Sequence, residues 1–460
     1  MGVFKNLLLN LPEIKGPEQK HVSFKEKLKW TLICLVAFFA LSNIPLYGLD
    51  PSRSIQFEQL ALILAASIGT MMTLGIGPIV TASIIMQLLN GSGILKFDLT
   101  SHEGKRLFQG SQKFASIVMI IVEAVIMVAL GGLAAQAGTS SFVIIFQLFI
   151  GGLIVLAMDE IVQKWGFGSG ISLFIVAGVA TELIVRAFSP LSSSGVWAFG
   201  SGQAPVGKIW VLIISLLNRN PGEAALALSG IIATLVVLGI AVYAQAMKVE
   251  IPLSFGRIRG QGIRWPLKFL YTSNIPVILV AALLANIQLW AKVLEGAGKP
   301  ILGTFSGGVP VSGLVSWLSS PALIEKFLSG SVAGIDFAHS IVYVIIMMIG
   351  ALIFSLLWVQ TSGMDANSQA RQMMSSGLQI PGFRRDIRVM EQLLGRYITP
   401  LTAMGGLAIG LLAAFADLLG ALAAGTSILL SVMIVYQFYE SIAQQHMMDM
   451  QPGLRKMMGG

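Results

Sequence analysis

Long apolar stretches dominate this sequence of 460 residues and constrain its fold more than any other feature. A hydrocarbon core of about 30 Å is crossed by about 20 apolar residues in a helix. Soluble proteins carry roughly 25% charged residues, whereas this chain has 11%, with 55% hydrophobic residues and a mean hydropathy of +0.80. The sequence predicts an all-α integral membrane protein, with spans near residues 30–48, 113–132, 141–158, 170–188, 226–247, 268–290, 339–361, 397–416 and 418–438.

A further apolar passage, residues 56–90, is interrupted by Gly75, Ile76, Gly77 and Pro78. The interruption leaves two pieces of about 13 residues, each only about 20 Å long as a helix. Irregular backbone at membrane depth is tolerated where it is buried in protein or lines an aqueous cavity. The break therefore predicts either a cavity or an ordinary kink between packed helices.

Residues 1–29 form a mostly polar segment before the first span, which argues against a cleaved signal peptide. Apolar residues recur in it at helical spacing beside Lys5, and these residues are Val3, Phe4, Leu7, Leu8 and Leu11. The spacing is typical of a short amphipathic helix on a membrane surface, although a solvated tail has a similar composition.

Basic residues set the orientation, because cytoplasmic loops carry an excess of Lys and Arg. With the N-terminus inside and ten passages, 23 of the 30 basic residues lie on the cytoplasmic side. Both termini are then cytoplasmic, the second in a tail over residues 442–460, and residues 191–225 form an external loop. The basic residues on the outside are Arg53, Arg186, Lys208, Arg219, Lys292, Lys299 and Lys326.

The net charge of +8 is concentrated in two long cytoplasmic loops, residues 248–268 and 364–396. A basic protrusion attracts a phosphate backbone or an acidic protein. Topology signalling alone explains the sign of the charge but not the length of the loops. We therefore favour partner binding over topology signalling.

No pattern for catalysis, cofactor binding or metal binding stands out. The chain has one cysteine, Cys34, and four scattered histidines, with no metal-ligand spacing and no phosphate-binding loop. These features argue against an enzyme or an ATP-hydrolysing pump. A conduit remains, as a secondary transporter of a small solute, an ion channel or a passage for larger cargo.

Few ionisable residues lie within the spans. Glu123 is the deepest, whereas Glu182, Arg186 and Asp417 lie near span ends. Coupled transporters usually hold such groups at membrane depth. We interpret Glu123 as a protonated or hydrogen-bonded carboxyl at a helix interface rather than as an ion-coupling site.

Two aliphatic pairs follow glycine-rich breaks at i, i+4 spacing, Ile76 with Val80 and Ile171 with Ile175. Each pair therefore lies on one helix face. Such pairs ordinarily face lipid or the protein core, but hydrophobic constrictions also gate pores by dewetting.

Several long motifs, in order along nearly the whole chain, resemble the SecY family of protein-translocation channels. They are IGTMMTLGIGPIVTASIIMQLL at 68–89, GFGSGISLFIVAG at 166–178, KVEIPLSFGRIR at 248–259, YTSNIPVILVAALLANIQLW at 271–290 and GTSILLSVMIVYQFYE at 425–440. The second-helix motif is closer to the archaeal and eukaryotic branch than to the bacterial one.

The resemblance implies a channel that passes unfolded secretory polypeptides across the membrane and releases apolar segments sideways into lipid. Ten transmembrane helices would form two inverted five-helix halves, residues 30–190 and 226–441, closing as a clamshell around an hourglass pore. By motif matching, the pore ring at the waist comprises Ile76, Val80, Ile171, Ile175, Ile278 and Leu430.

The resemblance also assigns a plug and a lateral gate. The plug would be residues 56–66, followed by the second helix over 76–90, with plug residues Gln56, Phe57, Leu60, Ile63, Leu64 and Ala66. Its sequence is more apolar than a segment that moves into water would need. The gate is a seam between spans 2 and 3 and spans 7 and 8, with a polar cluster of Thr81, Glu123 and Asn286.

The same resemblance makes the basic loops a docking site for the ribosome, through its RNA. The candidates are Arg257, Arg259, Arg264, Lys268, Arg384, Arg385 and Arg388. Further expected partners are a SecE/gamma-type subunit, a small beta-type (SecG-like) subunit, the nascent polypeptide with its signal sequence, and membrane lipid. We expect an archaeal cell membrane and a ribosome as the source of force. A secondary transporter or an assembly scaffold are the rival hypotheses.

Overall fold

The computed structural model describes residues 8, 10–18, 22–50, 69–91, 93–95, 97, 101–129, 133–136, 138–192, 196–199, 203–255, 262–272, 275–296, 298–306, 309–375, 378–379 and 386–450. The first half contains α1 (Phe24–Ser42), α2 (Gly77–Gly91), α3 (His102–Ala129), α4 (Ser141–Trp165) and α5 (Gly170–Phe188). Helix α6 (Lys208–Leu217) lies between the two halves. The second half contains α7 (Pro221–Ala246), α8 (Ile275–Gly296), α9 (Gly313–Trp317), α10 (Leu323–Leu328), α11 (Gly334–Thr361), α12 (Ala366–Ser375), α13 (Ile387–Leu418) and α14 (Gly425–Met450).

Eight of the described helices are long and apolar enough to cross a membrane, namely α3, α4, α5, α7, α8, α11, α13 and α14. Helices α1 and α2 are not among these eight, because α1 begins with several charged residues and the break before α2 leaves that helix short. Together the ten helices correspond to the ten predicted passages, and the all-α membrane fold is confirmed.

Several helix ends differ from the predicted spans. Helices α3 and α13 begin about ten residues before the apolar stretches that they carry, since polar residues continue each helix beyond the apolar part. Helix α14 begins at Gly425 rather than at 418, because a turn through Gly420, with φ of +65°, separates it from α13. That turn is apolar in sequence, so hydropathy alone joins it to the helix. The predicted external loop 191–225 contains α6 and the first turns of α7.

The two basic loops meet in a small sheet that the sequence did not predict. Strands β1 (Lys248–Phe255) and β2 (Gly262–Lys268) form an antiparallel hairpin with Lys248 opposite Lys268. Strand β5 (Leu378–Gln379), from the second loop, pairs with the far end of β1 at Ser254 and Phe255. A second hairpin, β3 (Phe305–Ser306) with β4 (Val309–Pro310), lies between α8 and α11.

The described part of the segment before α1 is largely exposed, but it is hydrogen-bonded to α3 and α4. Lys113 of α3 donates to the Pro12 carbonyl at 2.6 Å, and Lys164 of α4 donates to the Ile14 carbonyl at 2.6 Å. Both lysines also pair with Glu160, at 2.7 and 2.9 Å. Of the apolar residues predicted to form an amphipathic helix, Leu8 and Leu11 are described, and Leu8 is buried.

Candidate pore waist and lateral seam

The break before α2 is a series of tight turns. Hydrogen bonds join the Gly75 N–H to the Met72 carbonyl at 2.9 Å and the Gly77 N–H to the Leu74 carbonyl at 3.2 Å. Gly75 has φ of +54°, a backbone conformation that favours glycine. Pro78 lies in the first turn of α2, where its missing N–H leaves no helical bond unmade. The turns therefore place Ile76 immediately before the helix and Val80 one turn into it.

The six aliphatic residues assigned to the waist belong to, or pack against, the large apolar core that joins both halves of the chain. Five of them lie in α2, α5, α8 and α14, and the sixth, Ile76, lies immediately before α2. All but Ile171 have at most 8% of their surface exposed, and Ile171 packs against the same cluster. These residues are Ile76, Val80, Ile171, Ile175, Ile278 and Leu430. Their side chains carry no hydrogen-bonding group, so the core around them is apolar and excludes water.

The starts of α5 and α14 are held by carboxyl groups from the helices that precede them. Asp159 of α4 accepts a hydrogen bond from the Ile171 N–H at 3.0 Å. Asp417 of α13 accepts one from the Thr426 N–H at 2.7 Å. No sequence pattern singles out Asp159, and Asp417 stands out in the sequence only as a residue near a span end. Both aspartates lie in the helix that precedes a waist helix.

The polar cluster assigned to the seam is assembled in the structure. The side-chain amide of Asn286 on α8 donates to the Thr81 hydroxyl on α2 at 2.8 Å. Glu123 on α3 is hydrogen-bonded to the side chain of Thr81 and is 3% exposed. Within the described residues, Glu123 Oε1 and Asn286 Oδ1 have no hydrogen-bond partner. The cluster thus joins three helices, but part of its hydrogen-bonding capacity is unused.

An apolar cluster extends the seam beyond the polar one. Leu289 and Val293 of α8 pack in one buried cluster with Ile120, Ala124 and Met127 of α3. This cluster, like the Asn286–Thr81 bond, joins helices from opposite halves. The contacts between α3 and α8 in this cluster are therefore apolar.

Helices α2 and α3 are fastened to each other on their side of the seam. Gln112 of α3 donates to the Ser83 hydroxyl of α2 at 2.5 Å. The two helices also pack along their length. They form one wall that faces α8 and α11, with which α2 is in contact.

The other ionisable residues noted in the spans have structural partners. Glu182 and Arg186 form an ion pair of 2.9 Å within α5. Arg186 also donates to the Leu422 carbonyl at 3.2 Å, in the turn between α13 and α14. The described residues contain no group of three or more His, Cys, Asp or Glu side chains placed to hold a metal ion.

Lys268, one of the predicted docking residues, is engaged at the base of the hairpin. Its ammonium pairs with Glu440 of α14 and lies 5.5 Å from the ring centroid of Tyr436 on the same helix. This geometry joins the hairpin to α14 rather than presenting a free charge.

The other docking candidates are described only in part. Arg388 is exposed in the first turn of α13. The backbone of Arg264 lies in β2 opposite Pro252. Outside the described residues lie Arg257, Arg259, Arg384 and Arg385, and so does the predicted plug, residues 56–66 with Gln56, Phe57, Leu60, Ile63, Leu64 and Ala66.

Comparison with known proteins gives consistent matches over the whole chain. The SecY family model matches residues 70–439, and a model described as the plug domain of Sec61p matches residues 36–69. The protein translocase subunit SecY of Methanothermobacter thermautotrophicus is 45% identical over 460 residues, covering 99% of this chain and 98% of the relative.

Solved structures share the fold. One described as a protein conducting channel is 43% identical with a TM-score of 0.82, covering 97% of this chain and 98% of its own. The channel of a canine ribosome-channel complex from the endoplasmic reticulum is 42% identical with a TM-score of 0.80, at the same coverage of both chains.

Proposed function

This chain belongs to the SecY family, and from that premise we propose how its residues open a path for a polypeptide. It is a multi-pass membrane protein and the channel-forming subunit of a protein translocase. We assign the pore ring to Ile76, Val80, Ile171, Ile175, Ile278 and Leu430. The observation that carries this assignment is that they come from both halves of the chain and lie in, or pack against, the same large apolar core.

An aliphatic ring suits a channel whose cargo has any sequence. The side chains neither donate nor accept hydrogen bonds, so they close around a moving chain without binding particular residues. When the cargo leaves, burial of apolar surface at about 25 cal/mol per Å² draws the ring shut. The passage of ions is opposed because a narrow apolar constriction does not hold water.

Sideways release is proposed to occur between the α2–α3 wall and α8. Thr81, Glu123 and Asn286 would favour the closed seam by roughly 1 kcal/mol per hydrogen bond. An apolar segment of cargo can replace contacts of this strength, since it brings its own packing against α3 and α8. The segment then passes into lipid, whereas a polar segment continues through the waist.

We propose that residues 56–66 act as a plug beneath the ring. The support is their position within the matched plug-domain stretch, residues 36–69. Residues 30–190 and 226–441 are proposed as the inverted halves that move apart when the plug leaves.

The proposed partners follow from the basic loops and from the relatives. The canine structure is a ribosome-channel complex. We propose that the ribosome binds here through Arg257, Arg259, Arg264, Arg384, Arg385 and Arg388, and that it supplies the force. Phosphate contacts of this kind are salt-dependent. A SecE/gamma-type and a beta-type subunit, a cell-membrane location and cytoplasmic termini complete the proposal, with no catalytic residue in the chain.

Protease protection tests this function. Proteoliposomes that contain the chain, its single-span partners and bound ribosomes should protect a completed secretory polypeptide from added protease. Protection should require the signal sequence. Equal protection with and without that sequence would contradict signal-dependent translocation, and saturable uptake of a small solute that needs Glu123 would support the transporter hypothesis.

A further inference from the structure

The two waist helices α5 and α14 begin with the same short pattern. Gly170 and Gly425 are the first residues of these helices, and each is followed two positions later by a serine. Ile175 and Leu430, both in the proposed ring, each lie five residues after that glycine. In each half, a residue of the proposed ring therefore lies at the same position relative to the first residue of its helix.

In the first half, the start of α5 is held by Asp159 of α4. One carboxyl oxygen accepts from the Ile171 N–H at 3.0 Å, and the Gly170 N–H is also bonded to this carboxyl. The other oxygen accepts from Gln163 at 2.7 Å. Ser169, at the usual capping position, makes no side-chain cap. The carboxyl from the neighbouring helix thus satisfies the free N–H groups of α5.

In the second half, Asp417 of α13 holds the start of α14 in the same way. It accepts from the Thr426 N–H at 2.7 Å and is bonded to the Gly425 N–H. The second oxygen accepts from the Tyr343 hydroxyl of α11 at 2.7 Å and from the Thr426 hydroxyl. Both helix starts are therefore tied to the penultimate long helix of their half.

The glycines bring each pair of helices into close contact. A Cβ added at Gly170 would lie 2.5 Å from the Asp159 Cα. A Cβ added at Gly425 would overlap the carbonyl group of Ala416. A side chain at either position would not fit at these distances, so glycine is what allows each helix start to lie this close to the preceding helix.

We propose that Asp159 and Asp417 are positioning residues that set the closure of the waist. This inference rests on the proposed function, since it takes the cluster around Ile175 and Leu430 to be the pore ring. A helix rises 1.5 Å per residue, so each ring residue lies only about 7.5 Å along the helix axis from the glycine that begins its helix. A shift of the helix start therefore moves the ring side chain by a similar amount.

The test measures ion conductance through idle channels, normalised to the number of folded channels in a planar bilayer. Asp159→Ala and Asp417→Ala should each raise the conductance about fivefold, the population change that corresponds to the loss of one helix cap. Asp159→Asn and Asp417→Asn keep one acceptor oxygen and should give a smaller rise. Both alanine variants should also transport a chain with a weakened signal sequence.

Glu182→Ala is the matched control. Glu182 is a buried carboxyl on the same helix α5, but it pairs with Arg186 and does not touch the helix start. It should reduce the yield of folded channel without raising the conductance of each one. A purely structural role for the aspartates would give the same result as this control and would overturn the proposal.

Ile175→Gly distinguishes a failure of the positioning role of the aspartates from a failure of the ring assignment. If it leaks while the aspartate variants do not, the positioning role is wrong and the ring assignment stands. If Ile175→Gly does not leak, the ring assignment itself fails. Should the alanine variants not fold, the absence of any leak in both asparagine variants would count against the proposal.

Discussion

The side-chain amide of Asn286 on α8 donates a hydrogen bond of 2.8 Å to the Thr81 hydroxyl on α2, between residues 205 positions apart. Thr81 follows Val80, and Asn286 lies eight residues after Ile278 on α8. Both helices that form this bond therefore also carry a side chain of the waist. A movement that separates these helices would also displace Val80 and Ile278, so we expect the proposed seam and the proposed ring to be mechanically coupled.

Replacement of Asn286 by leucine removes the bond across the seam. We expect the closed seam to lose roughly 1 kcal/mol, which lowers the hydrophobicity at which half of a series of test segments insert sideways. Gln245→Leu is the control, because Gln245 is a buried amide on α7, away from the seam. Equal thresholds for the Asn286 variant and the control would remove the polar cluster from the mechanism.

Asparagine at Ile278 places an amide in the apolar waist. Because the amide holds water, we expect the idle channel to conduct ions, with conductance about tenfold above the background of the unchanged protein. Ile278→Leu keeps both volume and apolarity and should remain sealed. A sealed Ile278→Asn channel would show that the waist does not control permeation.

Reversal of charge at Arg384 and Arg385 tests ribosome docking. We expect Arg384→Glu with Arg385→Glu to weaken binding to ribosomes. The slope of log affinity against log salt concentration should become shallower by the amount that about two phosphate contacts contribute. Lys208→Glu with Lys299→Glu reverses two charges that we assign to the outer face, and it should leave binding unchanged. Unaltered binding of the arginine variant at ordinary salt would mean that these loops serve another partner.

The ion pair between Lys268 and Glu440 predicts a role for Lys268 other than docking. We expect Lys268→Glu to destabilise the attachment of the hairpin to α14 by up to about 1 kcal/mol, the usual limit for a partly exposed pair. Lys268→Glu combined with Glu440→Lys should restore the thermal stability. If the single variant binds ribosomes weakly and the double variant does not restore that binding, Lys268 contacts the ribosome directly.

Most of the membrane passages could be predicted from the sequence because apolar length decides them, whereas the broken passage at residues 56–90 had to be recognised from its glycine and proline residues. The helix ends could not be predicted. Helices α3 and α13 begin with polar residues that precede their apolar parts, and the connection between α13 and α14 is apolar although it is not helical. The three-stranded sheet was also missed. Its strand β5 has only two residues and pairs across 123 positions of sequence, from Phe255 to Leu378.

The site could be predicted only in part from the residues themselves. The i, i+4 pairs Ile76 with Val80 and Ile171 with Ile175 stand out because each follows a glycine-rich break. Ile278 and Leu430 do not differ from the aliphatic residues around them, and the family resemblance alone selected them. Asp159 was missed because a carboxyl near a span end resembles a solvated one. The repeated Gly-x-Ser at Gly170 and Gly425 was the signal that could have revealed it.

The central claim is that a polypeptide passes through the ring, and crosslinking from the ring tests it most directly. A small photoreactive residue at Ile175 would be placed in membranes that carry ribosomes stalled on a secretory chain. Ile184 on the same helix, 61% exposed, is the control position. We expect adducts to the nascent chain from position 175, and we expect them to vanish when the signal sequence is removed. Position 184 should give no adducts. No adduct from position 175, with ribosomes demonstrably bound, would contradict the ring assignment.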